Sequence, residues 1–250
     1  MKKTELFGIP FDNVSLTEAA ELALSYIESG KQALAVTPNA EIMQASLDDD
    51  EVKKALLSAE IVLPDGEGVV WASKKLGCPL KQKVAGVEFG IECARICAEK
   101  GYSLFLLGGR EGVAKEAAKN LCLLFPSLHI VGAESGYFNK DGEENSLIID
   151  RINQSGADVL YVCLGAPAQE KWVYSNRESI LSPRLIACLG GSLDIYAGTA
   201  KRAPKLFIRL RLEWLYRLIR QPSRAKRMTN LPRFMISVYK YKRNLKKNEV

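Results

Sequence analysis

The sequence predicts an α/β protein: a Rossmann-like, mostly parallel sheet with helices on both faces, followed by a basic helical C-terminal appendage. Three observations predict it. Short Val-, Leu- and Ile-rich runs alternate with amphipathic stretches of ten or more residues through about residue 194, the pattern of strands joined by crossover helices. Glycine- or proline-containing turns repeatedly follow the apolar runs. Charge then divides the chain: residues 1–200 carry 19 Lys and Arg against 27 acids, whereas residues 201–250 carry 16 against 2.

The elements follow in order. Ser15 and Glu18 form a capping-box pair that opens a helix running to about Ser29. Residues 33–37 read as a strand broken by Pro38. Asp48, Asp49, Asp50 and Glu51 open another helix, where carboxylates favour the N-terminal dipole. Residues 61–63 form a short strand ending in Pro64-Asp65-Gly66, with a helix through Trp71 beyond it. Residues 103–107 end in Gly108-Gly109 ahead of a helix from about Glu111, and 129–131, 159–164 and 185–189 are further strands.

After Ala197-Gly198 the character changes. Residues 204–220 form a predicted helix with Phe207, Leu210, Trp214 and Leu218 on one face and Lys205, Arg209, Glu213 and Arg220 opposite. Pro222 interrupts it, and Pro232 opens a last helix containing Phe234, Met235, Ile236 and Val238. The expected division is a catalytic α/β domain over 1–195 and a basic amphipathic appendage over 196–250. That appendage either packs on the body or meets an anionic lipid surface, and one face can serve each.

Composition excludes several classes. No apolar run approaches the roughly 20 residues that span a bilayer, and Met1-Lys2-Lys3-Thr4 has no long apolar run behind it, so membrane contact is expected to be peripheral. Six cysteines, at 78, 93, 97, 122, 163 and 188, include no C-x-x-C pair and read as free thiols of a reducing compartment. With His129 as the only histidine, a Ser-His-Asp triad or multi-histidine metal site is not expected, so any general base is a carboxylate.

In an open α/β sheet ligands bind beyond the carboxyl ends of the strands. Five expected strand ends place polar or glycine-rich residues there: Thr37 and Asn39, Asp65, Gly108 to Arg110, Gly165 to Gln169, and Gly190 to Asp194. Gly108-Gly109-Arg110-Glu111-Gly112 is a glycine turn before a helix, a place where backbone N–H groups approach a phosphate, and equally an ordinary tight turn. It is not a complete G-x-G-x-x-G, although Glu134 past the next strand keeps a nicotinamide-dependent oxidoreductase as an alternative. The Asp48-Asp49-Asp50 run contains a D-x-D, but its place at a helix start makes it a cap, and no metal is expected from it. Asp65 at a strand exit is placed for general-base work or for a turn. Gln169 offers an amide near the first turn of a helix. The basic tail also allows a nucleic-acid-binding protein, against which the acidic body and the apolar Phe207, Leu210 and Trp214 face speak.

Taken together, the chain resembles the WecG/TagA/CpsF family of bacterial glycosyltransferases. The resemblance is carried by Thr37-Pro38-Asn39-Ala40-Glu41, Pro64-Asp65-Gly66-Glu67-Gly68, Phe105 through Gly112, Leu164 through Trp172, Gly190-Gly191-Ser192-Leu193-Asp194, and Arg202-Ala203-Pro204 with Glu213-Trp214-Leu215-Tyr216-Arg217. It implies an inverting transferase moving a sugar, N-acetylmannosamine in the best-described branch, from a UDP-sugar to undecaprenyl-diphosphate-linked N-acetylglucosamine. The setting it implies is the cytoplasmic face of the bacterial membrane, in wall teichoic acid or related surface-polysaccharide synthesis. Other branches use another UDP-sugar in capsule or exopolysaccharide assembly. Carried over by motif, Asp65 is the base, Thr37 and Asn39 line a sugar site, and Gln169 holds a sugar. Gly108, Gly109, Arg110, Gly190, Gly191 and Asp194 surround the UDP. From the appendage, Arg217, Arg224 and Arg227 reach the diphosphates. Lys83, a substrate-binding residue by the same carry-over, stands where family members often have Arg, keeping the charge without the bidentate fork, and Glu88 stands where Asp is common. No cofactor, no metal and no nucleic acid are expected, and a homo-oligomer that hides the apolar face of the appendage is an open partner.

Overall fold

A computed structural model describes residues 2–200, 204, 207, 216 and 229–248. The chain begins with a feature the sequence reading did not anticipate. An antiparallel hairpin pairs β1 (Lys3–Leu6) with β2 (Ile9–Asp12) through a two-residue turn at Phe7 and Gly8. Both turn residues have positive φ, 56° and 81°, as a hairpin turn matched to strand twist requires. The usual Asn-Gly signal is missing because Phe7 takes the first position, where its ring packs 4.6 Å from that of Tyr241 and 5.8 Å from that of Phe234. Tertiary packing thus overrides the local preference. At the far end Asp12, only 2% exposed, accepts the Val62 N–H at 2.9 Å and ties the hairpin to the main sheet.

Six strands form that sheet: β3 (Ala33–Val36), β4 (Ile61–Val62), β5 (Ser103–Gly108), β6 (His129–Glu134), β7 (Val159–Cys163) and β8 (Leu185–Cys188). Their order is β4-β3-β8-β7-β5-β6 and every pairing is parallel. Crossovers are supplied by α1 (Leu16–Ser29), α2 (Ala40–Asp48), α3 (Asp50–Leu57), α4 (Glu67–Lys75), α5 (Gly86–Lys100), α6 (Val113–Leu124), α7 (Glu143–Gln154) and α8 (Ala168–Asn176). A short α9 (Ser192–Tyr196) follows the last strand, and α10 (Asn230–Asn248) closes the described chain. The anticipated capping box is present, with Ser15 and Glu18 exchanging hydrogen bonds across the first turn of α1. Asp49 caps α3 by accepting the Glu51 N–H at 2.9 Å, so Asp49, Asp50 and Glu51 open a helix as expected, whereas Asp48 ends α2.

Alternation along each strand divides the core. Phe105 and Leu107 of β5 join one apolar cluster with α2, α3, α4, α7, α8, α10 and the hairpin. Leu104 and Leu106 join the other with α1, α5, α6 and α9. Period-two side-chain geometry in a strand buried on both faces has this result.

The last helix belongs to the first cluster. Phe234 and Val238 are fully buried against the hairpin, α2 and α4. Ser237 donates to Gln44 at 2.9 Å, and Arg233 pairs with Asp48 at 3.2 Å. Pro232 sits inside the first turn of α10, where its missing N–H has no helical partner to lose. The helix expected over 204–220, apart from Pro204, Phe207 and Tyr216, lies outside the described residues, as do Arg217, Arg224 and Arg227.

Candidate active site

A single crevice of about 1510 Å³ runs across the carboxyl ends of the six parallel strands. It exceeds the roughly 300–1,000 Å³ of a drug-sized site, leaving room for more than one small ligand. It lies over the boundary between β3 and β8, where the helices that follow the two strands go to opposite faces, α2 after β3 into one apolar cluster and α9 after β8 into the other. Such a reversal opens the gap between strand ends in which α/β proteins bind ligands.

Thr37 and Asn39 leave β3, and Asp65 leaves β4; all three line the crevice. Thr37 is 6% exposed, and its hydroxyl donates to the Cys188 carbonyl at 3.2 Å, clasping β3 to β8. Gly86 at the start of α5 is required here, because a Cβ would lie 2.9 Å from that hydroxyl oxygen. Asn39 caps α2, its Oδ1 accepting the N–H groups of Glu41 and Ile42 at 2.9 and 3.1 Å. The cap leaves the Asn39 amide nitrogen as its donor toward a ligand. Asp65 is half-buried and anchored through its own N–H to the Pro38 carbonyl at 3.2 Å. Lys83 is not among the lining residues; its ammonium lies 3.9 Å from Glu67 of α4.

The middle of the crevice is formed by the exits of β5 and β6. Gly109 and Arg110 line it, but Gly108 does not. A Cβ on Gly108 would fall 2.3 Å from the Cys163 carbonyl oxygen, so that glycine is explained by the close approach of β5 to β7. Across from Gly109, the β6–α7 loop contributes Tyr137, Phe138, Asn139 and Lys140, none of them anticipated from sequence. The Gly136 N–H donates to the Gly109 carbonyl at 2.9 Å, joining the two turns. Lys140 donates to the Gly136 and Phe138 carbonyls and stands 3.8 Å from the Phe138 ring centre. Desolvation lowers its ammonium below the usual lysine range. The strand-exit rule would have found this loop had β6 been read to its full length; ending it at residue 131 put the exit three residues early.

On the last wall, Gln169 is 1% exposed and its Oε1 accepts the Gly190 N–H at 2.9 Å, bridging the exits of β7 and β8. Its Nε2 donates to Glu170 at 2.8 Å. Gly190, Gly191 and Asp194 line the crevice beside it, and the Asp194 carbonyl accepts the Ala200 N–H at 2.9 Å. Glu170, which sequence reasoning passed over, is equally buried, and burial pushes its carboxyl up to about 7.

Five acids (Glu41, Asp65, Glu111, Glu144 and Asp194) and two cations (Arg110 and Lys140) are found among the described lining residues. Tyr216 also lines the crevice. Glu134 does not line it; that carboxylate pairs with Arg151 at 3.0 Å, which removes the acid on which a nicotinamide reading depended. Among the described residues no group of three or more His, Cys, Asp or Glu could hold a metal ion, and no helix is long and apolar enough to cross a membrane.

Comparison with known proteins decides the family. Residues 4–248 match the description "Glycosyl transferase WecG/TagA/CpsF family". The chain belongs to this family. It is 36% identical over 245 residues to the N-acetylglucosaminyldiphosphoundecaprenol N-acetyl-beta-D-mannosaminyltransferase of Bacillus spizizenii, covering 97% of this chain and 93% of the relative. A Bacillus subtilis protein of the same name is 34% identical, with 98% and 94% covered. One from Staphylococcus aureus is 30% identical, with 98% and 95% covered. As a member of the WecG/TagA/CpsF family the protein is a glycosyltransferase, and the oxidoreductase and nucleic-acid-binding alternatives fall away.

Proposed function

We propose that this protein transfers N-acetylmannosamine from UDP-N-acetylmannosamine to undecaprenyl-diphosphate-linked N-acetylglucosamine, as the names of its relatives say of them. The observation that carries the reading is the convergence of Thr37, Asn39, Asp65 and Gln169 on one crevice that Tyr216 also lines. In this reading the Asp65 carboxylate takes the proton of the acceptor hydroxyl. The freed oxygen attacks the anomeric carbon, the bond to the UDP oxygen breaks, and a single displacement inverts the configuration there. The Asn39 amide nitrogen and Gln169 position sugar hydroxyl and acetamido groups. Gly109, Arg110, Gly190, Gly191 and Asp194 contact the nucleotide.

Charge explains why the appendage is needed. Both substrates carry diphosphates, and the departing UDP gains negative charge that a transferase must stabilise. An acid-rich crevice does this poorly, so Arg217, Arg224 and Arg227 supply the missing cations. The chain's outer helix suits a peripheral site on an anionic membrane. Met235, Ile236 and Tyr239 of α10 are exposed, with Lys240 and Arg243 on the same exposed side, the composition of an interfacial helix.

The test is UDP release by the purified protein with a short-chain polyprenyl-diphosphate N-acetylglucosamine acceptor and a panel of UDP-sugars. Acceptor-dependent release from UDP-N-acetylmannosamine alone supports the reading. Release from a different donor moves the protein to another surface polysaccharide, and failure of every donor together with failure to bind UDP refutes it.

A further inference from the structure

Glu170 has no part in the proposed transfer, yet its setting is costly for a carboxylate. It is 1% exposed in the first turn of α8. Its Oε1 accepts from Gln169, while Oε2 is the one buried side-chain polar atom without a hydrogen-bond partner among the described residues. No described cation pairs with it. A bare carboxylate in such a place is strongly disfavoured, whereas the neutral acid keeps its accepted hydrogen bond at little desolvation cost.

The titratable groups around it add no compensating positive charge. From β8 the buried thiol of Cys188 faces it, pushed up first by its own burial and then by Glu170. On α8 Lys171 is turned outward to Asp49 and Glu51, each 2.7 Å away.

The hydrogen bond between Gln169 and Glu170 has a structural consequence. Gln169 can be oriented two ways about its terminal torsion, and only one gives oxygen to the Gly190 N–H and nitrogen to Glu170. The relay Glu170–Gln169–Gly190 therefore ties the start of α8 to the turn that opens α9 and carries Asp194. We propose that Glu170 is a positioning residue whose buried carboxyl holds Gln169, and through it the Gly190-Gly191 turn, in the form that makes the crevice floor. Ionisation of Glu170 leaves the Gln169 hydrogen bond in place but puts an unpaired charge at Oε2, and the water or donors it draws in open the packing beneath the start of α8 and loosen that floor. The turnover consequence rests on the glycosyl-transfer reading; the protonation of Glu170 does not.

Two variants test it. Glu170→Gln keeps the shape and a carbonyl acceptor but cannot ionise, and Glu170→Leu removes the acceptor. The first measurement is thermal unfolding of the protein alone from pH 4.5 to 8.5. An unfolded carboxyl ionises near 4.5 and the folded one near 7, so the folded chain holds the extra proton between those values. Stability of the parent must therefore fall relative to Glu170→Gln as pH rises through that window, then run parallel above it. The second measurement is kcat/KM for the sugar nucleotide. At pH 6 Glu170→Leu is expected to lose roughly tenfold, consistent with one lost buried hydrogen bond, and Glu170→Gln to restore most of that loss. From pH 6 to 8.5 the parent declines where Glu170→Gln holds level. Parallel unfolding curves for parent and Glu170→Gln across the whole range overturn the proposal, as do superimposable pH–rate profiles. Divergent unfolding curves with no turnover of any sugar donor uphold the protonated carboxyl and refute the transferase reading instead. Should Glu170→Leu fail to fold, the comparison of the parent with Glu170→Gln decides the matter alone.

Discussion

The body and the C-terminal segment differ most in charge and least in packing. Residues 1–200 are net acidic and residues 201–250 strongly basic, yet α10 shares the apolar cluster of the hairpin, α2 and α4. Charge separates the two regions, whereas the buried side chains of Phe234 and Val238 make α10 part of the folded body. A basic segment that only visited the body would not bury two side chains completely.

The sharpest way to break that comparison is Phe234→Ala. If α10 is integral to the body, the deletion costs about 3–5 kcal/mol of stability, as for other fully buried phenylalanines, and lowers the unfolding midpoint of the whole chain in one transition. A separate early transition, with the main midpoint unchanged, would show two independent units. Asp65→Asn acts on the body alone. Turnover is expected to fall by roughly a hundredfold or more, as for a lost general base, with UDP affinity by calorimetry retained. Near-normal turnover would remove Asp65 from that role.

Arg217→Ala sharpens the other half of the comparison. Turnover should fall at least about tenfold, because a cation on a developing phosphate charge is lost, while the unfolding midpoint of the body stays in place. Exchanging Met235 and Ile236 for Asp should weaken flotation with anionic vesicles several-fold and leave turnover on a soluble short-chain acceptor intact; equal flotation would assign the exposed face of α10 to something other than lipid. Smallest is Asn39→Asp, which retains the α2 cap but removes the amide donor. Stability should change by less than about 1 kcal/mol while the KM of a sugar substrate rises, and an unchanged KM would leave Asn39 as a cap only.

Six strand positions and the capped first helix were legible because apolar runs closed by Pro or Gly are a local signal. The Asp65 turn, the Gln169 segment and the Gly190-Gly191 turn were legible for the same reason: each follows directly on such a run. What was missed depended on distance in space. The hairpin turn at Phe7 is paired with aromatic rings more than two hundred residues away. Helix α2 hid behind Pro38 because its cap, Asn39, reads equally well as a binding residue, and the structure shows its oxygen used for the cap. Gly108 gave a phosphate-loop signal, although its missing side chain accommodates the Cys163 carbonyl.

By itself the sequence determined the fold class, the family, the division of charge and the residues that stand at the strand exits, since all of these are written in periodicity and local motif. Only the tertiary structure decided which of those residues face a common space. It withdrew Lys83, Gly108 and Glu134 from the lining, added the β6–α7 loop, and placed Glu170 where water cannot reach it. Strand order and burial set those outcomes, and both arise from contacts between segments that no local reading of the chain contains.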